Sequence, residues 1–253
     1  MITQLKKMRM DEEIFLAMFK IKKTCLVKEL IVIAMVAMFV ADAIDTNDVY
    51  SPCQDAKVQT RDGFTFGIAF SSKQAFTPDN GPQLSPCDSR LNLAGKGAQL
   101  AMFRPKVDEI SLLTVNSSSI DLARAGGYMV AFAGQKYAAR SLPVMFADES
   151  YIIISFTLVL EFQEGTLQNL FWKSFGCDSC SGGSVCLNKQ DCAVPSTQCQ
   201  KNGTAACNIG IQLTFSGTDK NLDALNSWYE VKNLRQYSLT GLYTDLRDSI
   251  IRD

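Results

Sequence analysis

The sequence predicts a mainly β protein: an antiparallel β-sandwich of jelly-roll type, with a disulfide-rich loop insertion and a C-terminal helix. Three observations carry that expectation. Apolar residues alternate with small or polar ones through several segments, helical spacing is confined to the last residues, and no strand–helix–strand alternation occurs. In GFTFGIAF (63–70), Phe64, Phe66, Ile68 and Phe70 alternate with Gly, Thr, Gly and Ala. Such period-two alternation predicts a strand with one face on a core and one towards solvent. VDEISLLTV (107–115) and GYMVAFA (127–133) supply further strands. YIIISFTLVLEFQ (151–163) reads as one long strand with Ile152, Ile154, Phe156, Leu158, Leu160 and Phe162 on one face. Glu164-Gly165 then forms a hairpin turn into the strand 167–173. Ile209, Ile211, Leu213 and Phe215 alternate with Gly210, Gln212 and Thr214 in the strand 209–216. Leu239, Leu242, Tyr243, Leu246 and Ile250 recur at helical spacing.

Composition narrows the function classes. The 253 residues are 47% hydrophobic and 20% charged, the balance of a globular protein. A formal charge of −1 offers no basic footprint for nucleic acid. The chain contains no histidine, which excludes Ser-His-Asp and Cys-His catalysis and every histidine-ligated metal site.

The N-terminal region supplies an address. Lys20, Lys22, Lys23 and Lys28 precede the apolar run LIVIAMVAMFV (30–40), followed by Ala41-Asp42-Ala43. A positive flank, a short apolar centre and an A-x-A motif predict a secretory signal peptide cleaved after Ala43. The run is too short to span ~30 Å of hydrocarbon as an anchor. Its late position suggests Met18 as the translation start. Residues 1–43 are therefore an extension plus signal, and 44–253 a single sandwich domain with the loop 177–207 inserted. No later segment is apolar enough to cross a membrane, and the C-terminal SIIRD carries no lipid-anchor tail. Export of a mature chain follows.

Of nine cysteines, Cys25 leaves with the signal. Cys53, Cys87, Cys177, Cys180, Cys186, Cys192, Cys199 and Cys207 remain, an even number that suits full pairing in an oxidising compartment. Zinc would need a second C-x2-C knuckle, and none exists. A thioredoxin-like role for Cys177-Asp178-Ser179-Cys180 would need a strand–helix junction, whereas the pair sits among glycines. The simplest partition is three bridges within 177–207 plus Cys53–Cys87, with connectivity inside the loop left open. That stretch has few large apolar residues, so crosslinks substitute for burial. Sequons at Asn116 and Asn202 agree with export and predict N-glycosylation.

Several strings carry a resemblance. YSPC (50–53), DGFTFGIAF (62–70), QLSPCDSRL (83–91), FRPKVDEISLL (103–113), GGYMVAFAG (126–134), SGTDKNL (216–222) and LNSWYEVKNL (225–234) resemble the small secreted land-plant proteins called the Expp family. The resemblance runs from Tyr50 to the C-terminus. It implies a plant extracellular or secretory-pathway setting and brings no catalytic residues.

Candidate functional residues are few. Trp172, Trp228, Tyr229, Tyr237 and Tyr243 could stack on the CH faces of sugars, or pack as ordinary core. Arg104 and Lys106 flank Pro105, which suits an anion or uronate, or a solvated edge. Asp108 and Glu109 are adjacent and point to opposite faces of a strand. Glu161, Glu164 and Glu230 are the carboxylates a glycosidase would draw on, given two of them ~5–9.5 Å apart. No nucleophile elbow, phosphate-cradling loop or calcium loop is present, and no cofactor is expected. The reading is a secreted, disulfide-bonded glycoprotein of the plant cell wall or apoplast, a non-catalytic module whose partner is an extracellular glycan. The alternatives are a protein-interaction or inhibitor module using the loop 177–207, and a wall glycoside hydrolase using a carboxylate pair.

Overall fold

The computed structural model describes residues 45–116, 120, 125–135, 139–174, 176–177, 180, 184–201 and 207–236. The chain divides after Ile44, and all described residues belong to the second unit. Met18, Ala43, the sequon residue Asn202, Tyr237, Tyr243 and the helical stripe 239–250 lie outside the described residues.

The strands in chain order begin with β1 (Phe66–Ser71), β2 (Gln99–Phe103), β3 (Ser111–Val115), β4 (Tyr128–Ala133), β5 (Ala139–Arg140), β6 (Val144–Met145) and β7 (Tyr151–Ile153). They continue with β8 (Ser155–Gln163), β9 (Thr166–Lys173), β10 (Val185–Leu187), β11 (Asp191–Pro195), β12 (Ile209–Thr218) and β13 (Ala224–Leu225). Among the described residues there are two short α-helices, α1 (Ser196–Lys201) and α2 (Ser227–Gln236). One five-stranded sheet runs β2-β1-β4-β5 with β6 beside β4. A second runs β13-β12-β8-β9 with β3 beside β12, and a small third runs β10-β11-β7.

The two large sheets share one core, which makes the sandwich. Phe66, Ile68 and Phe70 of β1 and Met129 and Ala131 of β4 belong to the same buried cluster as Leu158, Leu160 and Phe162 of β8 and Ile211, Leu213 and Phe215 of β12. Phe64 meets Phe162 edge-on at 5.0 Å between ring centroids. Each such side chain contributes about 1.5–3 kcal/mol on burial.

Three features depart from simple alternation. First, β1 is buried on both faces. Its second face (Gly67, Ala69) lies in a smaller core with Phe76, Val130 and Phe132. That core is roofed by the segment between Ser72 and Ala98, which the Cys53–Cys87 bridge ties down. A Cβ on Gly67 would come within 2.4 Å of the Phe132 ring, so the roof explains the small residues between the phenylalanines. Second, the run 151–163 is two strands. Ile154 donates to the Cys192 carbonyl and accepts from Gly210, so the chain changes sheets there without breaking its apolar pattern. Third, β8 and β12 are parallel, from Gly210↔Ser155 to Gly217↔Phe162, and every other pair among the described strands is antiparallel. Parallel neighbours need a long return connection. Here β9 and the cysteine block provide it.

The block does more than project from the sandwich as a loop. Its strand β11 pairs with β7, and Ala193 joins the main core. Its bridges are Cys177–Cys186, Cys180–Cys192 and Cys199–Cys207. Expected strand 107–115 starts later, at Ser111, because Asp108 turns with φ 64°. Its carboxylate accepts from the Ser227 amide at 2.8 Å, which caps α2. The hairpin turn is as expected. Glu164 and Gly165 both have positive φ, the twist that suits two antiparallel strands, and a Cβ on Gly165 would meet Val58 O at 2.4 Å.

Candidate functional site

The β1–β2 ladder continues past its last paired strand residues. Phe64 donates to Pro105 O at 2.9 Å, and Gly63 pairs with Lys106. Strand alternation therefore puts Leu100, Met102, Arg104 and Lys106 along one outward face of this edge. Leu100 and Met102 are 60% and 66% exposed on it.

Arg104 organises the ledge. Its Nη1 donates to Val49 O (2.6 Å) and Thr65 Oγ1 (2.9 Å). Its Nη2 donates to Asp45 Oδ2 (2.7 Å) and to Asn47 O. Four of its five N–H donors are thus committed within the chain. The side chain has room because Gly63, directly beneath, has no Cβ; one there would sit 2.6 Å from Arg104 Nε. The guanidinium carbon lies 4.0 Å from the centroid of the Tyr50 ring. Tyr50 is 68% exposed, so one ring face rests on the cation and the other meets solvent. Lys106 stands one step further along, with Glu109 Oε1 at 4.0 Å in an exposed, weak pair.

The segment carrying Tyr50 is itself fastened. Asp62, 1% exposed, accepts from Thr46 N and Thr46 Oγ1 and from Gln59 N. Lys220 Nζ donates to Thr46 Oγ1 at 2.8 Å. Asp45 accepts from the amides of Asn47 and Gly63. Burial acts to raise the Asp45 pKa, but these bonds and the Arg104 guanidinium outweigh it and hold the carboxyl below its usual value.

A family model described as "Uncharacterised protein DDB_G0273449" matches residues 23–248. The chain belongs to that family. No curated protein and no solved structure matches it. The matched span contains every described residue, so the Tyr50 ledge and the cysteine block both lie within the family's unit.

The other sequence candidates fall elsewhere. Trp172 is half-buried, donates from Nε1 to Ser141 Oγ at 2.9 Å and meets Phe156 edge-on, so it serves packing and presents no platform. Trp228 is half-buried in the first turn of α2, and Tyr229 beside it is exposed. Glu161, Glu164 and Glu230 are all exposed, on β8, on the hairpin turn and on α2 respectively. Glu164 lines a groove of about 540 Å³ with Asp55, Lys57, Gln163 and Gln168. Among the described residues, no group of three or more Cys, Asp or Glu side chains is placed to hold a metal. Arg104 lies against the ring of Tyr50, and Tyr50 is the residue of this ledge that the sequence did not single out. Its signal was weak: a tyrosine in an irregular segment, three residues before a cysteine.

Proposed function

We propose that the protein is a secreted, non-catalytic recognition module that binds an extracellular polysaccharide on the Tyr50 ledge. The observation that carries this reading is the exposed Tyr50 ring, oriented from below by a guanidinium that is itself held by four hydrogen bonds. A fixed ring loses little entropy on binding, and its free face suits the apolar CH face of a pyranose. Met102 and Leu100 extend the apolar strip along the strand, at roughly 6.6 Å per alternate residue. Lys106 adds an ammonium on the same face, which suits the carboxylate of a uronic acid unit. Four disulfides and the signal-like segment at 18–43 support export, and Asn116, exposed at the end of β3, supports N-glycosylation. The resemblance to the Expp proteins supports the plant cell wall or apoplast as the setting, and a wall polysaccharide as the ligand.

The test is a polysaccharide array probed with the secreted protein. Retention on uronate-rich polymers, weakened at least tenfold by Tyr50→Ala, is the expected outcome. Binding to no polysaccharide, or unchanged binding by Tyr50→Ala, contradicts the proposal.

A further inference from the structure

The four sulfurs at the head of the cysteine block occupy a constellation that admits two complete pairings. In the structure Cys177 is joined to Cys186 and Cys180 to Cys192, with Cα–Cα distances of 5.7 and 5.3 Å. The partners therefore come from two places, the backbone at Cys177 and Cys180 and the β10–β11 hairpin, and both bridges run between them.

At each place the cysteines are also neighbours. Cys180 N donates to Cys177 O at 3.0 Å, which holds the two cysteines close together. Cys186 and Cys192 are direct cross-strand partners. The Cys192 carbonyl accepts from Ile154, on the side of β11 away from β10. The backbone polar groups of Cys192 thus point away from Cys186, so this is a non-hydrogen-bonded pair, whose Cα atoms stand about 4.5 Å apart. Disulfides form at Cα separations of ~4.4–6.8 Å, which the cross-strand pair meets and which the hydrogen bond between Cys177 O and Cys180 N permits. Cys177 Sγ, moreover, lies 3.7 Å from Asp191 O, the carbonyl immediately before Cys192. It is held next to the second bridge.

We infer that this cluster is a thiol–disulfide exchange site, whose two isomers interconvert when a small monothiol reaches Cys186. Cys186 is exposed, Cys177 and Cys180 are half-buried and Cys192 is buried, so attack begins at the Cys177–Cys186 bond. The thiolate bonds to the Cys186 sulfur and releases Cys177 as thiolate. Cys177 attacks the Cys180 sulfur, forming Cys177–Cys180 and releasing Cys192. Cys192 attacks the mixed disulfide at Cys186, forming Cys186–Cys192 and expelling the monothiol. Two disulfides enter and two leave; no electrons are transferred and the monothiol is regenerated. In the product Cys177 and Cys180 are no longer tethered to the hairpin, while β11 keeps its pairing with β7.

The test uses the intact secreted protein with substoichiometric glutathione under anaerobic conditions. The mixture is quenched in acid, and fragmentation mass spectrometry assigns the linkages. The expected result is Cys177–Cys180 together with Cys186–Cys192 in at least a tenth of the molecules, with Cys53–Cys87 and Cys199–Cys207 unchanged. Retention of Cys177–Cys186 and Cys180–Cys192 throughout overturns the inference. So does scrambling that involves Cys53, Cys87, Cys199 or Cys207, since that reports global unfolding.

Discussion

Inside the sandwich, β1, β4, β8 and β12 bury Phe, Ile, Leu and Met side chains against one another across two sheets. Between residues 177 and 207 the described buried apolar residues are only Cys192, Ala193, Val194 and Cys207, and three bridges span the same stretch. One region is held by apolar surface removed from water, the other by crosslinks that restrict the unfolded chain. The parallel pairing of β8 with β12 explains why both occur in one domain. It demands a long return connection, and a connection this poor in apolar residues needs staples.

Substitutions separate the two kinds of support. Phe215→Ala, at a fully buried position in the central strand, should lower stability by about 3–5 kcal/mol, read from the denaturant midpoint. Removing the Cys53–Cys87 bridge, which closes 34 residues, should cost about 4 kcal/mol. Removing Cys199–Cys207, which closes 8, should cost about 2.5 kcal/mol. If the short bridge proved as costly as Phe215→Ala, block and sandwich would be one cooperative unit and the distinction would fail. Asp219→Ala should cost about 2–3 kcal/mol, because that buried carboxylate accepts from the amides of Thr60, Asn221 and Asp223. Tyr50→Ala, by contrast, should change stability by less than about 1 kcal/mol while weakening polysaccharide retention.

Acid should act on the sandwich through the same carboxylates. Burial acts to raise the Asp219 pKa, but the hydrogen bonds from Thr60, Asn221 and Asp223 outweigh it, and Asp45 behaves likewise. Both folded values lie below the ordinary 3.8. Their contribution is present above that value and is lost as pH falls through the lower folded values. Melting temperature should therefore drop on acidification below about pH 4, and Asp219→Asn should flatten that drop.

How much was legible follows the same division. Strands 209–216 and 167–173 and the Glu164-Gly165 turn could be read directly, because their alternation and turn chemistry act locally. The division of 151–163 could not, since period two reports a buried face and not which neighbour covers it. The parallel pair was invisible for a related reason: register between distant strands leaves no mark on either one. At the ledge, Arg104 stood out as a cation beside a proline. That its charge is met by the carbonyls of Asn47 and Val49 and by Asp45 depends on a contact more than fifty residues away. Once that contact forms, the guanidinium lies against the exposed Tyr50 ring.

Hydrogen exchange followed by mass spectrometry, with and without a disulfide reductant, tests the division most directly. On reduction, amides of β8 and β12 should lose less protection than those of β10 and β11. Equal loss of protection across the sandwich and the block would show that one kind of support holds both.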